Sequence, residues 1–413
     1  MPDLKRYIYV RMARTALYVM YIYRSVKHAL KRLPHNRKSI VFYIENDALY
    51  RDDMGRYPYV LLNKFSQSGY NVYFYKNVDT FKKYLELGKY GRFIYSIPNL
   101  KVISKIPAQL SVPETQFAFD TINKPLLEQK WKKLIYVNMC RPTLCQTGEA
   151  IWIPYSFHPI AYKNGIDTTI QKLRNNSRKL KIIFAGNSVA SGYSVKKLKD
   201  WYNKLTRHEG IKAVLEINDK VKTVENSDQF CKMINEGSYI NECRLLRTDR
   251  ATRLNVKGYW DIISKSDFFL ALSGTDYPMC HNVIESMAVG TIPIMGYGEW
   301  FFPPLKHGEN AIIYSDAEDL KAKVRDVLNI NERAIQKMRN NVIDYYEKYL
   351  TSESFVSKVE ANQDKVITIM LHPHLVCTPQ EDEAGKQFMQ ELTKQVKGAT
   401  NRSKNFRKAE SNV

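Results

Sequence analysis

The densest run of residues that could do chemistry lies between Ser273 and Gly290. An apolar stretch at 268–272 leads into Ser273-Gly274 and a short loop. His281-Asn282-Val283-Ile284-Glu285 follows, and the run closes on Gly290 ahead of Ile292-Pro293-Ile294. The order reads as strand, Gly-containing loop, helix, Gly stop and strand. A helix entered from such a loop presents unpaired backbone N–H groups and a partial positive charge, a seat for a diphosphate. Glu285, about one turn into that helix, could accept hydrogen bonds from a ribose or sugar diol, or be an ordinary surface helix residue. His281 suits a first-turn or solvent role as well as a ligand contact. Gly290 permits a left-handed C-cap, and Pro293 falls at the start of the next short strand.

Three further groups accompany that run. Gly186-Asn187-Ser188 ends an apolar stretch at 181–185, where small residues let a backbone approach a phosphate, although any strand-to-helix turn favours them. Arg247, Arg250 and Arg253, with Lys257 beyond, follow another apolar stretch. Arg250 or Arg253 could take up charge on a departing diphosphate; a solvated basic loop is the alternative. Asp52 and Asp53 follow the first apolar strand and are candidates for a general base toward an acceptor hydroxyl, or Asp53 for an N-cap or first-turn acid. His158, in Tyr155-Ser156-Phe157-His158-Pro159, could be an acceptor contact or base, or a packed linker histidine.

These residues have to be carried by strands and helices in alternation. Runs at 39–44, 71–75, 92–96 and 134–138 read as strands, with helices at about 57–67 and 80–87 between them. A second series has strands at 181–185, 212–217, 244–247, 268–272, 292–295 and 311–314, with a helix at 194–208. Fully apolar strands alternating with helices predict parallel sheets covered on both faces. The fold class is therefore α/β: two Rossmann-like domains with a cleft between them, a basic N-terminal helix and long C-terminal helices. The expected boundaries are 1–37 for that helix, 38–165 and 166–360 for the two domains, and 361–413 for an extension. The stretch 151–179 is the expected linker, with the break near 165, and a long helical segment spans 331–361. From about 394 the chain is polar and basic and is expected to be disordered.

A net charge of +21 points to anionic partners. Residues 1–38 hold ten Lys and Arg against the single acid Asp3, interleaved with tyrosines and aliphatics. That helix could lie on an anionic membrane surface, or pack its apolar side on the body; Arg11 and Arg14 interrupt it too soon for a bilayer span. Six cysteines show no CxxC and no paired Cys/His spacing, so a structural zinc site is not expected and the thiols are expected to be reduced; no metal and no cofactor enter the expected chemistry. No helix-turn-helix, RNA-recognition or zinc-finger signature supports specific nucleic-acid binding.

The block from Tyr259 to Tyr314, with its order of Tyr, Ser, Phe, Leu, Gly, Glu and Gly-Thr-Ile-Pro, resembles the donor-binding half of the two-domain GT-B glycosyltransferases, among them exostosin-like and bacterial surface-polysaccharide enzymes. The resemblance implies metal-independent transfer of a sugar from a nucleotide-sugar or other phosphosugar donor. It implies as acceptor a glycan or lipid-linked glycan, in capsule or lipopolysaccharide synthesis at the inner face of the cytoplasmic membrane. It places Glu285 against the donor ribose and the preceding loop, with Ser273 and Gly274, toward the diphosphate; His281 and Asn282 are further donor-binding candidates. Two positions depart from the pattern. Tyr277 stands where retaining relatives carry an earlier glutamate, and Asn282 where exostosin-like members often carry arginine.

Overall fold

The computed structural model describes residues 2–371 except 36, 76–80, 107–109, 111–113, 122–123, 128, 139–149, 190–196, 248–251 and 276. Arg250 and the tail from 394 therefore lie outside the described residues. The chain divides into two compact units, Met1–Ile153 with Phe355–Val413, and Pro154–Ser354.

Strands are numbered along the chain. The first unit holds β1 (Ser39–Tyr43), β2 (Asn71–Tyr75), β3 (Leu100–Ile103), β4 (Thr115–Phe119), β5 (Lys133–Asn138), β6 (Ala150–Trp152) and β13 (Val366–Met370). They form one sheet in the order β3-β2-β1-β4-β5-β13-β6, and every pairing is parallel. Ile40, Val41 and Phe42 are wholly buried, as a strand covered on both faces must be. Helix α1 (Pro2–Leu30) is continuous over 29 residues, and α2 (Arg56–Gln67) is buried along nearly its whole length. The chain passes from β1 to β2 and β3 on one side and then to β4 on the other, so the sheet reverses direction between β1 and β4.

The second unit holds β7 (Leu180–Gly186), β8 (Val221–Thr223), β9 (Ile240–Arg247), β10 (Ser266–Leu270), β11 (Ile292–Met295) and β12 (Ile312–Ile313), ordered β12-β11-β10-β7-β9-β8 and again parallel throughout. Its helices include α3 (Pro159–Lys163), α4 (Arg207–Leu215), α5 (Val256–Ser264), α6 (His281–Ala288) and α7 (Glu332–Tyr349). Here the reversal falls between β7 and β10. The buried ion pair Arg339–Asp267, 2.5 Å apart, joins α7 to the start of β10, and Tyr239 donates its hydroxyl to the same carboxylate at 2.6 Å.

Both units are α/β with parallel sheets, and several local expectations change. Residues 92–96 form a 3-10 turn that buries Ile94 and Tyr95, not a strand. Residues 212–217 belong mostly to α4, because Thr206 and Glu209 form a capping box that starts a helix at Arg207. In 194–208 the described helix is Lys197–Tyr202, followed by Asn203 at φ 50°. The segment 331–361 is two helices, α7 and Ser352–Ala361, parted at Leu350-Thr351. The division near 165 moves to Ile153/Pro154, since α3 and the turns after it pack into the second core. The expected extension from 361 instead supplies β13, between β5 and β6. Strands β3, β4, β6, β8 and β13 have no counterpart in the strand pattern read from the sequence.

Candidate functional site

In an open parallel sheet ligands bind beyond the carboxyl ends of the strands where the strand order reverses. In the second unit that place is framed by the loops leaving β7 and β10 and by the start of α6. Gly186, Asn187 and Ser188 leave β7; Ser273 and Gly274 leave β10. All of these expected positions are thus gathered at one point, together with His281, Asn282 and Glu285 on α6.

A residue that spacing did not single out ties them together. Arg207, the first residue of α4 and 3% exposed, donates from Nε to the Ser273 carbonyl at 3.0 Å and from a terminal nitrogen to the Asn187 carbonyl at 2.9 Å. Its other terminal nitrogen lies 3.5 Å from Cys280 Sγ. One planar guanidinium therefore spans both strand-end loops and the residue preceding α6, a task its fixed fork suits. Asn282 fastens the helix to β7 by donating to the Ala185 carbonyl at 3.0 Å. A Cβ on Gly274 would lie 2.5 Å from the Tyr277 carbonyl oxygen, so this loop has no room for a side chain there. Gly290, at φ 74°, ends α6 in the left-handed region, in agreement with the C-cap read from the sequence.

The N-terminus of α6 carries no side-chain cap at Cys280, whereas Thr206, Asn255 and Asn331 cap α4, α5 and α7. Burial pushes the Cys280 thiol up, but adjacent His281 and then Arg207 outweigh it and bring it down to about 6. The cluster thus favours negative charge. Ser188 lies beside a second cation, since Arg247 at the end of β9 donates from Nε to its hydroxyl at 2.8 Å. Among the described members of the basic run 247–257, Arg247 joins Arg207 at this loop, while no bond from Arg253 or Lys257 to it is seen. All three of the run's described bases are exposed.

Glu285 is 2% exposed, and its Oε1 accepts the His158 amide proton at 2.9 Å. It is no surface residue. Tyr259 lies half-buried beside it with its hydroxyl enclosed, and desolvation first, then the Glu285 and Cys280 charges, hold the phenol well above its ordinary range. His158 begins α3: its Nδ1 accepts from the Ile160 amide at 3.2 Å, and its ring meets that of His281 edge-on, with centroids 5.0 Å apart. With Nδ1 accepting, a neutral ring carries its proton on Nε2. Tyr277, at the position of the earlier glutamate, is buried edge-on against Tyr202 and Trp300 and belongs to the core.

The first unit's reversal point has the opposite character. Asp120, just after β4, accepts from the Glu45 amide at 2.9 Å and the Asn46 amide at 3.0 Å, so the protein's own carboxylate fills the amides there. Asp52 and Asp53 lie in the following turn. Asp53, Met54 and Gly55 take φ values of 40°, 56° and 80°, and the Asp53 carboxylate pairs with Arg56 at 3.2 Å. The N-cap of α2 is Gly55, so Asp53 does not cap that helix. Among the described residues no cluster of His, Cys, Asp and Glu converges as a metal site would. Cys231, Cys243 and Cys280 are free thiols.

No family model matches this sequence. No curated protein matches it either. Solved structures match it at low identity and low structural similarity. HepE from Anabaena, crystallised with UDP, is 11% identical over 78% of this chain and 98% of its own, at a TM-score of 0.40. A glycosyltransferase from Rickettsia africae is 10% identical over 79% of this chain and 97% of its own, at 0.41. The N-terminal domain of trehalose-6-phosphate phosphatase from Candida albicans is 8% identical over 80% and 98%, at 0.40. Likenesses this distant say nothing of substrate or chemistry.

Proposed function

We propose that this chain is a sugar transferase of the two-domain GT-B kind, whose second unit binds a diphosphate-linked sugar at the reversal point between β7 and β10. One observation carries the reading. Buried Arg207 gathers the loops after β7 and β10 and the start of α6 into one place, and α6 begins there without a side-chain cap. Parallel-sheet geometry, helix-end amides and fixed cations all favour an anion at that point.

In this reading the oxygen of an acceptor hydroxyl forms a bond to the anomeric carbon, while the bond from that carbon to the diphosphate oxygen breaks. The electron pair leaves with the diphosphate, and the α6 amides with Arg207 and Arg247 stabilise its added charge without a bound metal. Glu285 is proposed to contact the donor diol. Asp52 and Asp53 are the proposed candidates for taking the acceptor proton. The proposed acceptor is a glycan hydroxyl, free or lipid-linked, in surface-polysaccharide synthesis at the inner face of the cytoplasmic membrane. A net charge of +21 is compatible with a phosphate-bearing carrier.

Titration calorimetry with UDP, GDP, ADP, CMP, their sugar conjugates and simple sugar phosphates tests the donor. At least one diphosphate is expected to bind, and Glu285→Ala to weaken a sugar nucleotide more than inorganic pyrophosphate. No binding by any member, or binding indifferent to Glu285→Ala and Arg207→Met alike, removes the reading. A response to sugar phosphates alone moves the donor to a non-nucleotide phosphosugar.

A further inference from the structure

Helix α1 has two sides of different fate. Arg24, His28 and Lys31, spaced by four and three residues, hold one side to the first unit. Arg24 donates to the Tyr84 hydroxyl at 2.7 Å and the Arg92 carbonyl at 3.0 Å. His28, 3% exposed, bonds the Tyr95 carbonyl through Nε2 at 2.8 Å, and Lys31 donates to the Leu100 carbonyl at 2.7 Å. The opposite side is apolar along its length and lies exposed. Ile8, Met12, Val19, Ile22 and Val26, with Thr15 completing the four-three spacing, form a stripe, and each apolar member is between 45% and 68% exposed.

A run of large apolar side chains on water is unfavourable unless something covers it. The charges beside the stripe decide what. Arg11 lies on one flank and Lys27 on the other, each over a neighbouring tyrosine ring, Tyr7 and Tyr23 respectively. In residues 1–38 Asp3 is the only acid against ten Lys and Arg. Two copies meeting along this stripe, in either direction, would set base against base with no acid to pair, which disfavours self-association. A nucleic acid would satisfy the bases and leave the apolar stripe in water. An anionic bilayer surface satisfies both, with the stripe at acyl depth, tyrosines among headgroups and bases on lipid phosphates. No described helix is long and apolar enough to cross a membrane, so α1 would lie on the surface.

We infer that the face of α1 lined by Ile8, Met12, Val19, Ile22 and Val26 docks on an anionic lipid bilayer. The inference stands apart from the donor site, and its test reads separately. The full-length protein is sedimented with vesicles of phosphatidylcholine alone or with phosphatidylglycerol added. Binding is expected only to the anionic vesicles and to weaken with salt. It is expected to fall about fivefold for each base removed in Arg11→Gln and Lys27→Gln. Val19→Asp with Ile22→Asp should abolish it. These positions are exposed, so the variants should keep the wild-type melting temperature. Equal binding to neutral vesicles, or anionic binding untouched by the aspartate pair, overturns the inference. So does a dimer in light scattering that the aspartate pair dissolves, since the stripe would then face a second copy.

Discussion

Replacing Arg207 with methionine removes the guanidinium and keeps most of the side-chain length. Its two carbonyl bonds, to Asn187 at 2.9 Å and Ser273 at 3.0 Å, come from a charged donor, and such bonds contribute about 1.5–3 kcal/mol each. Against that gross loss of roughly 3–6 kcal/mol stands the cost of keeping a cation at 3% exposure, which the substitution relieves. A net destabilisation on the order of 2–3 kcal/mol remains. For a unit of this size each kcal/mol shifts the melting temperature by about 2–4 °C, so a drop of roughly 5–10 °C is expected in differential scanning fluorimetry. The same bonds fix the relative position of the two loops and α6. Loss of even ~1.4 kcal/mol of pre-organisation weakens a diphosphate tenfold, and the direct charge contribution adds to that. Calorimetry on Arg207→Met should therefore show at least about a tenfold higher Kd. Arg207→Lys should fall between, since an ammonium cannot span both carbonyls in one plane. A variant that melts early but binds a diphosphate with unchanged affinity would refute the reasoning, leaving Arg207 a structural stitch. Unchanged melting would refute the geometry itself.

Other expectations rest on the same structure. The rate of Cys280 alkylation by iodoacetamide should rise with pH through about 6 and level off above, because the thiolate is the reacting form. Bound diphosphate should slow it, and a midpoint in the ordinary thiol range would contradict the charge cluster. Asp267→Asn, which leaves Arg339 without its charged partner, should destabilise by about 3–5 kcal/mol in urea titration; a change under about 1 kcal/mol would show the pair to be dispensable. Burial pushes the Lys64 ammonium, inside α2, down to about 7. Below that pH both folded and unfolded chains hold the proton, so the cost is whole. Above it the folded chain has released a proton that the unfolded chain keeps, and stability should rise with pH toward the ordinary lysine range. Lys64→Met should be more stable at pH 6 and lack that rise; parallel urea midpoints for the two proteins from pH 6 to 9 would count against it.

The site was legible where chemistry is local. Gly186-Asn187-Ser188, Ser273-Gly274 and His281 to Glu285 each announce a strand end or helix start by their own residue types, and the structure gathers them at one reversal point. Arg207 was hidden because its significance lies in two carbonyls 20 and 66 residues away. The one available signal was the Thr206–Glu209 capping box, which places a helix start at that residue. The same box explains why 212–215, within the run read as a strand, is helical. Arg247 reads as one base in a run, and only its bond to Ser188 separates it from Arg253. Likewise Asp53 reads as a plausible cap, yet three successive left-handed residues turn it onto Arg56 instead.

Composition and periodicity by themselves determined that this is an α/β protein with parallel, fully covered strands, that the motif around Glu285 starts a helix after a tight loop, and that the first helix is basic and apolar at once. These depend on interactions within a few residues, which a string of letters displays. Tertiary structure alone decided that β13 returns to the first sheet, that Glu285 is buried on the His158 amide, that Arg207 joins both strand ends, and which side of α1 stays in water. Each depends on partners tens to hundreds of residues apart, brought together by packing, and local pattern has no means of naming them.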